Sequence, residues 1–191
     1  MTTLPALKKS KIILTHYLPH IRSSIMEVIE AIKSRRSIRH YTSKPVSDDV
    51  VVQIIEAGIW APSGLNNQPW RFVIVQSKDK KEALSQCTSY ARIIKESQVC
   101  ICVFYHIPSG YNRDKDILGI GACIQNMLLA AHDKGLGAVW LGEILNKKQQ
   151  VNELCSLSSD YELLAVIALG YPNEKGSSTR HPLEYFIIKK I

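Results

Sequence analysis

The chain lacks the signatures of several common site types. It contains no G-x-G-x-x-G following a strand-like run, no P-loop, no G-x-S-x-G and no H-E-x-x-H. Those gaps argue against a Rossmann dinucleotide site, a phosphate-cradling loop, a nucleophile elbow and a zinc protease helix. The five cysteines (Cys87, Cys100, Cys102, Cys123 and Cys155) form no C-x-x-C and show no metal-ligand spacing. An odd count without an export signal points to reduced thiols and a cytoplasmic location. Cys100 and Cys102 share one face of a strand-like run, which suits a buried structural role. His16 and His20 lie four apart with no third ligand nearby, so no metal site is expected. No apolar run reaches the roughly 18 residues of a membrane span, so no membrane partner is expected. The net charge of +7 suits an anionic ligand. Beyond short pairs such as Lys8-Lys9, Lys80-Lys81 and Lys147-Lys148, however, the basic residues are scattered. They do not form the aromatic-interleaved face that nucleic acid would require.

What is present is an ordinary globular composition, 46% hydrophobic and 21% charged over 191 residues, which suits one domain without staples. Residues 1–23 read as an extension and 24–191 as the domain, with Met26 a natural start. Ser24 and Glu27 form a capping box for a first helix ending near Ser34, with Ile25, Ile29 and Ile32 along one stripe. Pro45 and Ser47 introduce a second helix with Asp48 and Asp49 in its first turn, and Val51, Ile54, Ile55 and Ile59 facing inward. A strand over 72–76 follows, then a helix capped by Ser77 and running through Gln86. The apolar run 99–105 reads as a central strand. Residues 116–134 form the longest helix, ended by Gly135 and Gly137. Its small residues Gly119, Gly121, Ala122 and Ala130 would let another helix approach closely. A short strand at 138–141, a helix from an Asn146 cap through Leu154, and a strand at 162–169 complete the core. The stretch 183–188 is β-prone with nothing downstream to pair with.

Two segments carry the chemistry. Arg35-Arg36-Ser37-Ile38-Arg39 places three guanidinium groups and a hydroxyl in five residues. Guanidinium forks match phosphate oxygens two at a time. Pro62-Ser63-Gly64-Leu65-Asn66-Asn67-Gln68-Pro69-Trp70 is a turn-forming loop whose amides can donate and accept toward a flat polar ring. Taken singly, the first is a solvated basic patch and the second a connecting loop. Together, in this order and spacing, they resemble the R-x-S-x-R/K and P-S-x-x-N-x-Q-P-W elements of the FMN-dependent nitroreductase family. The resemblance covers roughly residues 26 to 188.

The resemblance implies an α+β fold: a central mixed, largely antiparallel sheet flanked by helices, dimeric, with C-terminal tails exchanged between subunits. It implies FMN as cofactor, with NADH or NADPH as electron donor. Arg35, Ser37 and Arg39 match positions that hold the phosphate and ribityl chain, whereas the position of Arg36 varies in the family. Ser178-Thr179-Arg180-His181-Pro182-Leu183 resembles the family's K-x-R-x-P-L element, with Arg180 as its phosphate-binding arginine. Ser178 departs from the usual lysine, and Lys175 is a candidate to compensate. Pro62, Ser63, Asn66 and Gln68 match the loop that hydrogen-bonds the isoalloxazine edge and ribityl hydroxyls. Trp140-Leu141-Gly142-Glu143 resembles the W-I-G-type segment, so the backbone of Leu141 and Gly142 would lie against the flavin. Because flavin supplies the hydride chemistry, no obligatory side-chain acid or base is expected. The implied activity is ping-pong reduction of nitroaromatics, quinones or related acceptors. Alternatives are another reaction on the same scaffold (reductive dehalogenation, enone reduction, flavin breakdown) or a non-catalytic FMN-binding or redox-sensing protein.

Overall fold

A computed structural model describes residues 26–191. The expected extension, the His16/His20 pair, Ile25 and the Ser24 cap lie outside the described residues. In chain order the elements are α1 (Val28–Ser34), α2 (Asp48–Ile59), β1 (Trp70–Val75), α3 (Lys78–Ser85), α4 (Ala91–Glu96), β2 (Val99–His106), α5 (Arg113–Asp133), β3 (Gly137–Leu141), α6 (Lys148–Leu154) and β4 (Tyr161–Gly170). Short 3-10 turns stand between several of them.

The four strands form one antiparallel sheet in the order β1-β2-β4-β3. The parallel contribution is a single bridge, Ser37 to Ala138, at the start of β3. Alternation along the strands splits the core into two layers. Ile101, Val103 and Tyr105 of β2 face α2 and α5, where they meet Ile54, Ile120, Ile124 and Met127. Cys100, Cys102 and Phe104 point the other way, toward Leu84, Ile94, Ile144 and Val151. A register shift between Val103 and Phe104 against β4 adjusts the pairing near the far end of β2. The run from Val99 to Tyr105 is buried throughout because helices cover both sheet faces, as its unbroken apolar pattern requires.

Several boundaries differ from the sequence reading. α5 begins three residues earlier than expected because the Asn112 side chain caps it by accepting from Lys115 N. Gly135, at φ 71°, ends that helix, whereas Gly137 already belongs to β3. The helix after β3 starts at Lys148, not at an Asn146 cap, because a 3-10 turn, Glu143–Lys147, intervenes. The short α4 had too little apolar periodicity to be read from the sequence. Ile59, expected to face inward, is exposed, since nothing packs beyond the outer edge of α2 in the single chain. The stretch 183–188 is not a strand here: it makes a 3-10 turn, Leu183–Tyr185, and every residue in it is exposed. Without a partner edge, its β propensity has no ladder to join.

Candidate functional site

The first cluster gathers where α1 ends. Arg35 is the C-cap of α1 and leaves it in an extended conformation, so the next residues run as a strand-like segment beside β3. Ile38 N donates to the carbonyl of Ala138 at 3.1 Å, which fixes Ser37 against the sheet edge. The chain after β4 returns alongside this segment. Thr42 N donates to Tyr171 O, Asn173 N donates to His40 O, and the Glu174 carboxylate accepts from Arg39 N at 2.5 Å and His40 N at 3.2 Å. Gly176 then passes so close to Arg36 that a Cβ there would collide with the arginine side chain. Two segments some 140 residues apart in sequence are thus held together by backbone bonds, and Arg180 comes into the field of Arg35.

This corner is electrostatically incomplete. Burial pulls the Arg35 guanidinium below its usual pKa, and repulsion from Arg180 and Arg36 adds to the effect. Its Nε is buried without a hydrogen-bond partner. Among the described residues, no carboxylate pairs with Arg35, Arg36 or Arg180. Arg36 Nη1 donates to the carbonyls of Lys33 and Arg35, while Arg180 Nη1 donates to Ser178 Oγ and Thr179 O. Ser178, where a lysine was the usual residue, therefore orients Arg180. The Arg39 side chain is exposed, and Lys175 is exposed as well. His132, at the end of α5, has its pKa lowered by burial and by Arg35, and bonds Ser34 Oγ at 2.8 Å through Nε2. A buried guanidinium edge without an acceptor, beside two further arginines, has the donor set an incoming phosphate would satisfy.

The second cluster is the loop after α2. Leu65, Asn66 and Gln68 all take positive φ (54°, 56° and 46°), a conformation costly for a side chain such as leucine. The loop holds that shape through internal bonds. Ser63 Oγ accepts from Gln68 N at 3.1 Å, and Gln68 Nε2 donates to Asn66 O and Asn66 Oδ1. Pro62, Asn66 and Gln68 are exposed and Ser63 half-buried, so this fixed frame stands open to solvent.

That frame rests on a residue the sequence reading did not single out. Asp116 is 1% exposed, and its carboxylate accepts from Asn67 Nδ2 at 2.8 Å, Tyr111 N at 3.0 Å, Asn112 N at 3.1 Å and Tyr105 OH at 3.2 Å. Burial alone would raise its pKa, but these four donors outweigh it and hold the carboxyl below the usual range. Asn67 also donates to Ser109 O, so one side chain ties the loop to both α5 and the connection before it. The available signal was an acidic residue at a buried-stripe position, four before Ile120 and seven before Cys123.

The third segment follows β3. Leu141 is buried in the core, so only its backbone is available to a ligand. Gly142 is exposed, with no atom within 4 Å of the place a Cβ would occupy. Trp140 is exposed and its ring edge reaches Gly121 on α5. Glu143, also missed from sequence, accepts from Thr88 Oγ1 at 2.5 Å, Ser89 N at 3.1 Å and Ser89 Oγ at 2.9 Å, which anchors the turn after Gly142 to the chain before α4.

The structure does not bring these segments into a single cleft. The loop touches α5 at Gly119, where the Pro62 carbonyl oxygen stands 3.1 Å from a notional Cβ. The arginine cluster meets the same helix at His132. Thirteen helical residues separate these points, or roughly 20 Å at about 1.5 Å per residue.

The chain matches the Nitroreductase family over residues 32–89 and 85–171. It belongs to the nitroreductase family. A protein of Methanothermobacter thermautotrophicus, provisionally named an NADH dehydrogenase/NAD(P)H nitroreductase, is 35% identical over 158 residues, covering 79% of this chain and 80% of that protein. A Desulfovibrio desulfuricans protein, solved in complex with FMN and provisionally named a nitroreductase, is 45% identical with a TM-score of 0.83. The match covers 85% of this chain and 96% of that one. The NADPH:FMN oxidoreductase of Vibrio harveyi, solved with NAD+, superposes with a TM-score of 0.77 at 26% identity, over 85% of this chain and 76% of that one. The α+β architecture is therefore that of the nitroreductase fold. Among the described residues, no helix is long and apolar enough to cross a membrane.

Proposed function

We propose that this protein is an FMN-dependent NAD(P)H oxidoreductase that reduces electron-poor small molecules such as nitroaromatics or quinones. The observation that carries the reading is the arginine corner, where Arg35 Nε is buried without an acceptor and Arg36 and Arg180 stand nearby without carboxylate partners. Arg35, Arg39, Arg180 and the Ser37 hydroxyl would hold the FMN phosphate, with Arg36 at the periphery. Asn66, Gln68, Ser63 and the backbone at Pro62 would meet the ring edge and ribityl hydroxyls, while the open backbone at Leu141 and Gly142 lets a flat ring lie close. Bound FMN would supply the redox chemistry, accepting a hydride from NADH or NADPH and passing two electrons to the acceptor. The protein's part is to orient, to supply positive charge and to exclude competing solvent. No side-chain acid or base is assigned. Donor and acceptor would occupy the same space in turn, which gives ping-pong kinetics.

The working unit is a homodimer, with the arginine corner of one copy and the 62–68 loop of the other completing each site. Two features support this. The two motifs sit at opposite ends of α5, and the single chain leaves a broad apolar surface uncovered: Val28, Ile29 and Ile32 on α1, Val52 and Ile59 on α2, Trp60, and Leu118 on α5. The exposed tail, with Phe186, Ile187 and Ile188, would be covered by exchange onto the partner. A cytoplasmic location follows from the reduced-thiol reading.

Purified protein should be yellow and release FMN on heating. Chromatography of the released cofactor decides it, and recovery of FAD or of no flavin would overturn the assignment. Steady-state NAD(P)H oxidation with a panel of acceptors then separates an enzyme from a flavin-binding sensor.

A further inference from the structure

The segment between β2 and α5 stands beside the 62–68 loop and carries groups that the proposed FMN site does not use. Its backbone is fixed. Tyr111 N and Asn112 N donate to the buried Asp116 carboxylate, and Gly110 N donates to Ile107 O at 3.0 Å. On this frame the Tyr111 side chain is exposed, and its ring lies so close to Gly64 that a Cβ there would collide with it. Arg71, exposed on β1, reaches the same place. Its Nη1 donates to Gln68 O at 3.0 Å and Trp70 O at 2.7 Å, and its Nη2 donates to Ser109 Oγ at 3.4 Å. Lys115, exposed in the first turn of α5, holds Nζ 5.4 Å from the centre of the Tyr111 ring. Arg113 of the same turn is already engaged by Glu162, at 3.1 Å and 3.0 Å, and Asp114 acts on Arg113 electrostatically. Among the described residues, no carboxylate pairs with Arg71 or Lys115. An exposed ring on rigid backbone, with two cations lacking carboxylate partners, therefore borders the loop proposed to meet the flavin ring.

We infer that this surface receives the adenosine end of the electron donor and makes the protein prefer NADPH to NADH. The inference rests on the proposed flavin reading and names which donor that site selects. The two nucleotides differ by one phosphate on the adenosine ribose, which is close to a dianion at neutral pH. Arg71 and Lys115 supply the compensating charge. The bonds Arg71 makes within the chain leave its Nε–H and one Nη2–H without a partner, and such a pair matches two phosphate oxygens. Lys115 adds a second cation from the neighbouring turn, and charge-assisted contacts of this kind are the strong ones. The Tyr111 ring offers a face on which adenine stacks, and its backbone needs no ordering because Asp116 already holds it. The arginine corner does not serve this phosphate, because in the proposed reading it holds the phosphate of FMN.

The test uses protein loaded with FMN, so that the arginine corner is filled, and flavin content is read first. Calorimetric titration at low salt should then show adenosine 2′,5′-bisphosphate binding roughly tenfold tighter than adenosine 5′-monophosphate. Lys115→Gln should close most of that gap, and Lys115→Arg should keep it. Among the described residues the Lys115 ammonium makes no hydrogen bond, so neither variant removes a contact that holds the fold. The ratio of kcat/KM for NADPH over NADH should fall in Lys115→Gln by about the same factor as the nucleotide gap. FMN-loaded protein that binds the two nucleotides alike, or a Lys115→Gln variant that keeps the full gap, would overturn this inference and leave the FMN reading standing. Protein that holds no flavin would overturn both.

Discussion

The two ends of α5 treat their polar groups in opposite ways. At its start, Asp116 gathers four donors around a buried carboxylate, and the 62–68 loop is locked into left-handed backbone by bonds among its own residues. At its end, three arginines crowd together, and one of them keeps a buried N–H without an acceptor. The first end satisfies its buried carboxylate within the chain, though Asn67 Oδ1 stays buried without a donor; the second keeps a buried donor for which an incoming anion would be the acceptor. The fold uses its internal hydrogen bonds to shape the 62–68 loop and leaves its charge imbalance at the arginine corner, where a phosphate is proposed to bind. Stability should therefore reside at one end and ligand affinity at the other, and substitutions should separate the two.

The largest effect is expected at the satisfied end. Asp116→Ala leaves the Asn67, Tyr105, Tyr111 and Asn112 donors without their shared acceptor in a buried place. It should lower unfolding stability by about 3 to 5 kcal/mol, read by denaturant titration. A loss below about 1 kcal/mol would mean that the loop does not depend on this carboxylate.

The arginine end should give the reverse pattern. Arg180→Ala and Arg39→Ala should each weaken FMN binding by roughly 10- to 150-fold, the loss of one charge-assisted contact of about 1.5–3 kcal/mol. Unfolding of the apoprotein should stay within about 0.5 kcal/mol of wild type, because neither side chain bonds a carboxylate among the described residues. Fluorescence titration of apoprotein measures the first quantity and denaturation the second. Equal loss of both would erase the distinction between the two ends.

A smaller, pH-dependent effect sharpens the comparison. The native pKa of Asp116 lies below its unfolded value of about 3.9, so its stabilisation is complete above that value and lost as pH falls through the native one. Midpoints of unfolding measured between about pH 5 and pH 2 should decline with a component absent from Asp116→Asn. An unchanged slope in that variant would place the acid sensitivity elsewhere. Added salt should act only on the other end, modestly weakening FMN binding by screening the exposed Arg39 and Arg180 while leaving the buried Asp116 network unmoved.

The sequence made the strands and long helices legible because periodicity reports directly on burial. Val99 to Tyr105 reads as a strand covered on both faces, and the Ile120-Ile124-Met127 stripe marks the buried side of the long helix. The candidate site was legible where residue type alone suggests the chemistry, as in Arg35, Arg36, Arg39 and the Asn66/Gln68 amides. It was not legible where function depends on what lies behind. Asp116, Glu143 and Glu174 act by accepting from groups 4 to 135 residues away, and sequence spacing does not announce such pairings. The shape of the tail was not legible for a related reason, since a β-prone segment forms a strand only against another strand's edge.

The claim that one chain's arginine corner and loop serve different sites has a direct test in mixed dimers. A variant with a broken corner, Arg35→Ala with Arg180→Ala, and a variant with a broken loop, Asn66→Ala with Gln68→Ala, should each lose FMN as homodimers. Co-expressed with different affinity tags and purified through both, the mixed dimer contains one copy of each. If sites are shared between copies, one site per dimer regains an intact corner and an intact loop. FMN content, read from the flavin absorbance, should then return to about one per mixed dimer. Mixed dimers as empty as the two parent variants would show that corner and loop act within the same chain, and would contradict the account.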